Sequence, residues 1–498
     1  MPEVEYQILL EKELNDKART TIENIYRKTL TPISENINLG NQASEINNCY
    51  SLNLDVDEDD TWDLAIGISQ LKGVRDVEPN FFIPGIREDM PKITACFPPP
   101  DHFLGWHKIK TKFKEAEEFA NSRGRTVGGK GIRIAQLDTG YTDHPELYDI
   151  LKHEGYDVYK GDLDPRDDLE EGLLLQPSHG TSTASVITAS EKKLNDGQTL
   201  GLAPHVTFIP FRISPSVIHI ARQTIEKGVI KAIEASCKVI TLSMGGAPPR
   251  KFWEIATTEA YERGVIWVCA AGNVVEWVVW PARYPQNICV AATGFTDFPW
   301  EDSCKGKSVD LSAPGHNVYV ATTRKEGKFC YKNGSGTSYA TPHVAAAAAV
   351  WLAYHGNDLN QYPLPWQKVE AFRYCLKKSA YTPSWWDKEY KKLYGAGILD
   401  AERLLKIELP DKENLRKRIF PIRYNQPGSI SVNMVHKEIM YLTLSAEQKK
   451  KLNLEYIYSK ASKNAKARLD KKLTSSEIKT KSEKKKLEML KNAFLIAY

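Results

Sequence analysis

The sequence predicts an α/β protein: a mostly parallel sheet flanked by helices, preceded by a small α+β unit and followed by a basic, largely helical tail. Three observations carry this reading. From Gly131 to about Leu405, short apolar runs alternate with amphipathic stretches, as strands joined by crossover helices do. The opening residues instead mix strand-like and helical patterns at short spacing and run into a proline-rich break. Residues 441–498 hold 15 Lys/Arg against 6 Asp/Glu, an excess of +9 in a chain whose formal charge is +4.

Tyr6–Leu10 reads as the first strand and Asp16–Arg27 as a helix. A second strand follows at Tyr50–Leu54, then a helix opening at Asp60-Thr61-Trp62 and running to Leu71, then turn and strand over Gly73–Asn80. These elements make residues 1–83 one small α+β unit. Pro84, Pro91, Pro98, Pro99 and Pro100 make 84–103 an extended linker, because proline fixes φ and removes a backbone donor. The main domain spans 104–407. Its apolar runs Ile132–Leu137, Val239–Ser243 and Val265–Ala270 read as strands that end in small residues, where an open α/β sheet places its ligand groups. Residues 408–498 form a separate basic region with a strand-rich patch at Ile430–Val432. Capping boxes at Ser445–Gln448 and Thr474–Glu477 open helices there, the last with an apolar face from Leu487, Met489, Leu490, Phe494 and Leu495.

Several classes are disfavoured. The start, Met1-Pro2-Glu3-Val4-Glu5-Tyr6, lacks the basic-then-apolar pattern of a secretory signal, and no run reaches the ~18 apolar residues of a membrane span. The eight cysteines form no Cys-x-x-Cys pair, which argues against a zinc site. Cys237, Cys269 and Cys289 lie in or beside apolar runs and suit reduced, buried thiols. These features predict a cytoplasmic protein. The basic tail suits an acidic or regulatory partner, nucleic acid, an anionic surface, or simply a solvated helical face.

The chemistry lies in three strings: Asp138-Thr139-Gly140, His179-Gly180-Thr181, and Gly336-Thr337-Ser338-Tyr339-Ala340-Thr341-Pro342. A weak hydroxyl nucleophile needs a base to take its proton, and the base needs a carboxylate to orient it. Ser338 is the candidate nucleophile, at the start of an alanine-rich helix whose positive end favours a developing oxyanion. His179 is the candidate base, since an imidazole takes and returns a proton near neutral pH. Ser178 before it can cap its helix. Asp138 ends an apolar strand, so it should be buried and need His179 as partner. Ser338 is preceded by Gly336 but followed two residues on by Ala340, which excludes the Gly-x-Ser-x-Gly elbow.

In their Asp, His, Ser order these strings resemble the subtilisin-like (subtilase) serine peptidases. The resemblance spans about 300 residues, down to Gly395–Ala401, similar to the string that closes those domains. It implies a serine endopeptidase that acts on polypeptides through an acyl-enzyme, with a subtilisin-like sheet. It implies Asn273, in Ala270-Ala271-Gly272-Asn273, as the oxyanion donor beside the N–H of Ser338. It also implies Ser243, Met244, Gly245 and Gly246 as a substrate-binding edge with exposed backbone donors; a plain strand-end turn is the alternative. His144, in His144-Pro145, is read as structural. Gly73-Val74-Arg75-Asp76-Val77-Glu78-Pro79-Asn80 resembles the end of a subtilase inhibitory prodomain. Residues 1–83 would then be a ferredoxin-like intramolecular inhibitor, released by self-cleavage in the proline-rich junction; an unrelated appendage is the other reading.

Two departures stand out. Val274–Trp280 is bulky where related enzymes carry a glycine-rich wall of the specificity pocket. It either narrows that pocket or packs outward. Asp162, Asp164, Asp167, Asp168, Glu170 and Glu171 form an acidic run that can hold Ca²⁺ or attract a basic substrate, with a solvated loop as the favoured reading. No cofactor or metal is required by the chemistry. The competing functions are a masked domain acting as an interaction protein, and a protease recruited by its tail to nucleic acid or an acidic partner.

Overall fold

The computed structural model describes residues 3–33, 45–56, 64, 67–68, 71–80, 105–147, 154–170, 175–189, 200–219, 224–246, 250–273 and 277–419. The expected linker, most of the second N-terminal helix and all the tail features beyond Ile419 lie outside these residues.

The N-terminal unit is an antiparallel sheet with strands β1 (Glu3–Leu10), β2 (Thr31–Pro32), β3 (Cys49–Asp55) and β4 (Val74–Asn80), in the order β2-β3-β1-β4. Helix α1 (Asn15–Tyr26) packs on one face. The two-residue period of a strand divides β1 between two environments. Tyr6, Ile8 and Leu10 pack with Ala18 and Ile22 of α1. Glu5, Gln7 and Leu9 face the main domain.

The main domain opens with α2 (Trp106–Thr111) and α3 (Phe113–Ser122). Its sheet is built from β5 (Arg133–Asp138), β6 (Tyr156–Asp157), β7 (Thr207–Arg212), β9 (Val239–Leu242), β11 (Ile266–Ala270), β12 (Ile288–Thr293) and β13 (Leu311–Pro314). The order is β13-β12-β11-β9-β5-β7-β6, and every pair is parallel. Two short strands, β8 (Ile218–His219) and β10 (Gly245–Gly246), pair beside it, and β14 (Val318–Thr323) forms a hairpin with β15 (Phe329–Gly334). A parallel sheet covered on both faces should have strands buried along their length. β9, β11, β12 and β13 are buried at every position.

The covering helices are α4 (His179–Thr188), α5 (Thr224–Glu234), α6 (Lys251–Glu262), α7 (Thr337–His355) and α8 (Pro365–Ser379), with α9 (Lys388–Tyr394) and α10 (Ala401–Lys406) after them. α4, α7 and α8 share one core; α5 and α6 share the other. α7 is buried on all sides, which its run Ala345–Ala349 permits by letting backbones approach closely.

The N-terminal sheet lies on α5 and α6. Leu9, Ile46 and Cys49 pack with Ile230, Phe252 and Ile255. A buried Leu, Ile or Phe contributes roughly 1.5–3 kcal/mol, against about 0–1 for the part-exposed Glu5–Lys227 ion pair, so the apolar contact dominates this junction. Cys237, Cys269 and Cys289 are buried free thiols as expected, and Cys330 is disulfide-bonded.

Candidate active site

Three central strands deliver the site at their C-terminal ends. Asp138 ends β5, Ser243 follows β9, and Asn273 lies three residues past β11. Asp138 is 1% exposed and its Oδ1 lies 2.7 Å from Nδ1 of His179, the first residue of α4. A carboxylate only accepts, so Nδ1 carries a proton, and in the neutral imidazole the lone pair then lies on Nε2, where a base needs it. The other Asp138 oxygen accepts from Thr183 Oγ1 at 3.0 Å, and Thr139 N–H donates to Oδ1 at 2.8 Å.

The glycines of the first two strings explain this approach. A Cβ on Gly180 would sit 1.9 Å from the carbonyl oxygen of Gly140, and Gly140 has φ +100°. Only glycine at 180 lets the histidine helix meet the aspartate turn.

Ser338 is the second residue of α7, where a helix leaves its N–H groups unpaired and directed outward. Pro342 sits four residues on and has no N–H, so the carbonyl of Ser338 loses its helical partner. Ser243 Oγ–H donates to that carbonyl at 2.9 Å instead. In return Ser338 Oγ donates to the carbonyl of Ser243 at 3.1 Å. No hydrogen bond joins Ser338 to His179 among the described contacts. The two are neighbours through Tyr339, whose ring centroid is 6.3 Å from that of His179.

Asn273 is 3% exposed, and its Oδ1 accepts from Thr337 N–H and from Thr337 Oγ1, each at 2.9 Å. A backbone N–H can only donate, so the amide is fixed with Oδ1 toward Thr337 and Nδ2 turned away. The Thr337 hydroxyl also accepts from Gly272 N–H at 3.1 Å. It thus bridges two residues of the Asn273 turn, a positioning role not read from the sequence.

The expectation of exposed donors at Gly245 and Gly246 is corrected. Gly245 N–H donates to Val217 O at 3.2 Å, and Gly246 exchanges bonds with Trp280 at 2.9 and 3.0 Å. Met244 is buried, at 2% exposure. Two partners take these donors: Val217, which leads into the two-residue strand β8 parallel to β10, takes that of Gly245, and Trp280 that of Gly246. Of the bulky segment, residues 277–280 are described. Val278 and Val279 pack inward, with Val279 between Gly245 and Gly272, while Trp277 and Trp280 are half-buried and Arg283 covers Trp280.

Ser178 does not cap α4. It has φ +63°, and its Oγ accepts from Thr323 N–H at 2.7 Å. His144 is structural, bonded to Cys330 O at 3.1 Å and enclosed by Phe329 and Tyr331. The acidic run is only partly solvated. Asp168 and Asp157 both bind buried Arg212, at 2.7 and 2.9 Å, and Asp167 binds Thr139 and Ser178, each at 2.8 Å. Among the described residues no group of three or more His, Cys, Asp or Glu side chains is arranged to hold a metal ion. Among them too, no helix is long and apolar enough to cross a membrane. Thr139, Thr183 and Asp167 hold roles that the sequence does not announce. Small polar residues beside the motif residues were the only signal.

Comparison with known proteins agrees with this geometry. The subtilase family profile matches residues 129–397, more than half the chain. Subtilisin BL of Lederbergia lenta is 31% identical over 287 residues, covering 57% of this chain and 93% of that protein. An alkaline protease of Alkalihalobacillus alcalophilus is 31% identical over 287 residues, 57% of this chain and 66% of its own length. The major intracellular serine protease of Bacillus subtilis (strain 168) is 30% identical over 237 residues, 46% of this chain and 70% of that protein. With its buried Asp138–His179 pair, helix-borne Ser338 and parallel sheet, the chain belongs to the subtilase family and is a subtilisin-like serine endopeptidase.

Proposed function

We propose that Ser338 attacks the peptide carbonyl, His179 takes its proton at Nε2 and returns it to the leaving amine, and Asp138 holds the imidazole through Nδ1. Asn273 Nδ2 and the N–H of Ser338 bind the oxyanion of the tetrahedral intermediate. Water then hydrolyses the acyl-enzyme. The single observation that carries this reading is the Asp138–His179 bond at 2.7 Å, which fixes the tautomer a base requires. Before attack, the Ser338 hydroxyl turns from Ser243 O toward His179.

The protein is latent as synthesised, with the N-terminal unit as inhibitor, the 84–103 segment as the place of self-cleavage, and 408–498 as a recruiting region for an acidic or regulatory partner. Latency is supported by two contacts: the N-terminal sheet on α5 and α6, and Val217 on the donor of Gly245 that an extended peptide would use. A permanently masked interaction protein is the second reading, favoured by that same Val217–Gly245 bond. Among the described residues, six buried free thiols support a cytoplasmic setting, whereas the Cys330 disulfide belongs with oxidising compartments.

The test compares the full chain with Ser338→Ala by intact mass, with and without a fluorophosphonate probe. Loss of the N-terminal part and probe uptake by wild type alone support a self-processing protease. Probe uptake without processing removes the inhibitor-release reading. An intact, unlabelled wild type supports the masked reading.

A further inference from the structure

The acidic loop 164–168 is tied to both catalytic strings at once. Asp167 Oδ2 accepts from Thr139 Oγ1 and from Ser178 N–H, each at 2.8 Å. Thr139 follows Asp138 and Ser178 precedes His179, so one carboxylate oxygen holds the neighbours of both. The direction of each bond is fixed. Gly180 N–H donates to Thr139 Oγ1 at 3.0 Å, which leaves that hydroxyl its single proton for Asp167. A ring of hydrogen bonds therefore runs from Gly180 through Thr139 and Asp167 to Ser178, with His179 inside it. It satisfies N–H groups that the start of α4 would otherwise leave open.

The ring also acts against a backbone cost. Ser178 is in the left-handed region, φ +63°, which disfavours a residue with a Cβ by roughly 1–2 kcal/mol. The bond its N–H donates to Asp167 and the bond its Oγ accepts from Thr323 N–H hold it there. The loop is itself anchored. Asp167 N–H donates to Tyr141 O at 2.8 Å, and Tyr141 N–H donates to Pro165 O at 3.2 Å. Asp167 Oδ1 accepts from Leu169 N–H at 2.9 Å, and the next residue, Asp168, is fixed to buried Arg212 at 2.7 Å. Arg212 lies in register with Asp138 across β7 and β5.

We propose that Asp167 is a positioning residue for the reaction, setting the geometry at which Asp138 and His179 meet. This rests on the catalytic reading above. Asp167 touches neither reacting group; it acts through Thr139 and Ser178. A misplacement of about 1 Å at a catalytic group can lower a rate on the order of 10²-fold, so a loss of this support falls on kcat.

The test is steady-state hydrolysis of a peptide p-nitroanilide by the full chain, normalised to sites titrated with a fluorophosphonate. Asp167→Ala should lower kcat per titrated site on the order of 10²-fold with KM within about twofold. Asp167→Asn keeps one oxygen for Thr139 and Ser178, so it should recover most of that loss. Thr139→Val breaks the same ring without removing the carboxylate, and its effect should not add to that of Asp167→Ala. Asp164→Asn, on the same loop but bonded to Arg166, should leave kcat within about twofold of wild type. Unchanged kcat per titrated site in Asp167→Ala, or full additivity with Thr139→Val, overturns the inference alone. A wild type that takes no probe overturns the catalytic reading and this inference with it.

Discussion

The amide of Gln7 donates to Glu226 Oε1 at 2.6 Å across the junction between the N-terminal sheet and α5, and the two remaining oxygens, Gln7 Oε1 and Glu226 Oε2, are buried without a partner. A protonated carboxyl resolves both at once, because its O–H can donate to the amide oxygen and close a two-bond pair. Burial pushes the Glu226 carboxyl up to about 7, against the opposing influence of Gln7, Arg250 and Lys227. Lys227, one of these, is itself paired with Glu5.

Docking should therefore weaken as pH rises. A carboxyl whose pKa is raised by docking binds its proton more tightly in the docked form. The stabilisation is complete below the ordinary carboxyl value near 4.5 and is lost as pH climbs through about 7. In full-length Ser338→Ala, the protection factors of the β1 amides, exchange rates divided by the intrinsic rate at each pH, should fall between pH 5 and pH 8. Glu226→Gln, which can form the same two-bond pair at every pH, should give a flat profile. A flat profile in the unsubstituted Glu226 chain would remove the protonated pair.

A second buried pair predicts the opposite sign. His343 Nδ1 lies 2.7 Å from Tyr339 O and so carries its proton; His343 Nε2 then accepts from His107 Nδ1 at 2.9 Å. His107 Nε2 is left buried with no partner, and a proton there would have no acceptor. Burial lowers both histidines, His343 to about 4 and His107 well below the ordinary value. The unfolded chain takes up these protons first, so stability falls as pH drops from about 6.5 toward 4. At pH 5 His343 alone should lose on the order of 2 kcal/mol relative to pH 7. Thermal unfolding should show it, and the double variant His107→Leu, His343→Leu should show a smaller loss between the two pH values. An equal loss in both proteins would place the acid sensitivity elsewhere.

The legible part of this site is the part that geometry forces into residue identity. Gly180 must be glycine because Gly140 O lies where its Cβ would be, and Asp138 needs a partner because its strand buries it. What escaped reading depends on small or short elements. Asp167 looks like its solvated neighbours in an acidic run, and only Thr139 and Ser178 distinguish it. Ser178 looks like a helix cap by type, yet its left-handed backbone gives the hydroxyl to Thr323. β8 is two residues long and has no period to read, so its pairing with Gly245 and Gly246 was invisible.

Val279 should restrict the substrate. Its methyl groups lie 2.6 Å from where a Cβ of Gly245 would stand and 2.8 Å from that of Gly272, so it fills the space between two site strands. Peptides with Ala before the scissile bond should be cleaved faster than those with Phe. Removing two methyl groups in Val279→Ala should shift the Phe-to-Ala ratio of kcat/KM upward by about tenfold, the scale of one or two methylenes in an apolar pocket. An unchanged ratio on paired peptide substrates would mean that Val279 supports the fold without bounding the pocket.

Thr337 and Asn273 give the sharpest separation between binding and chemistry. The oxyanion exists only along the reaction path, so a donor aimed at it should act on kcat and leave KM nearly unchanged. Asn273→Ala should lower kcat by 10²–10³-fold, as about 2.7–4 kcal/mol is lost with one such donor in a subtilisin. Thr337→Val keeps the donor but removes the hydroxyl that accepts from Gly272 and donates to Asn273 Oδ1. The Thr337 N–H bond to Oδ1 survives, so the amide is held by one contact instead of two. Its loss should be smaller, about tenfold in kcat, and should vanish when Asn273 is already Ala, since the hydroxyl then has no amide to orient. A Thr337→Val effect that persists in the Asn273→Ala background would assign the hydroxyl to holding the start of α7 rather than the oxyanion donor.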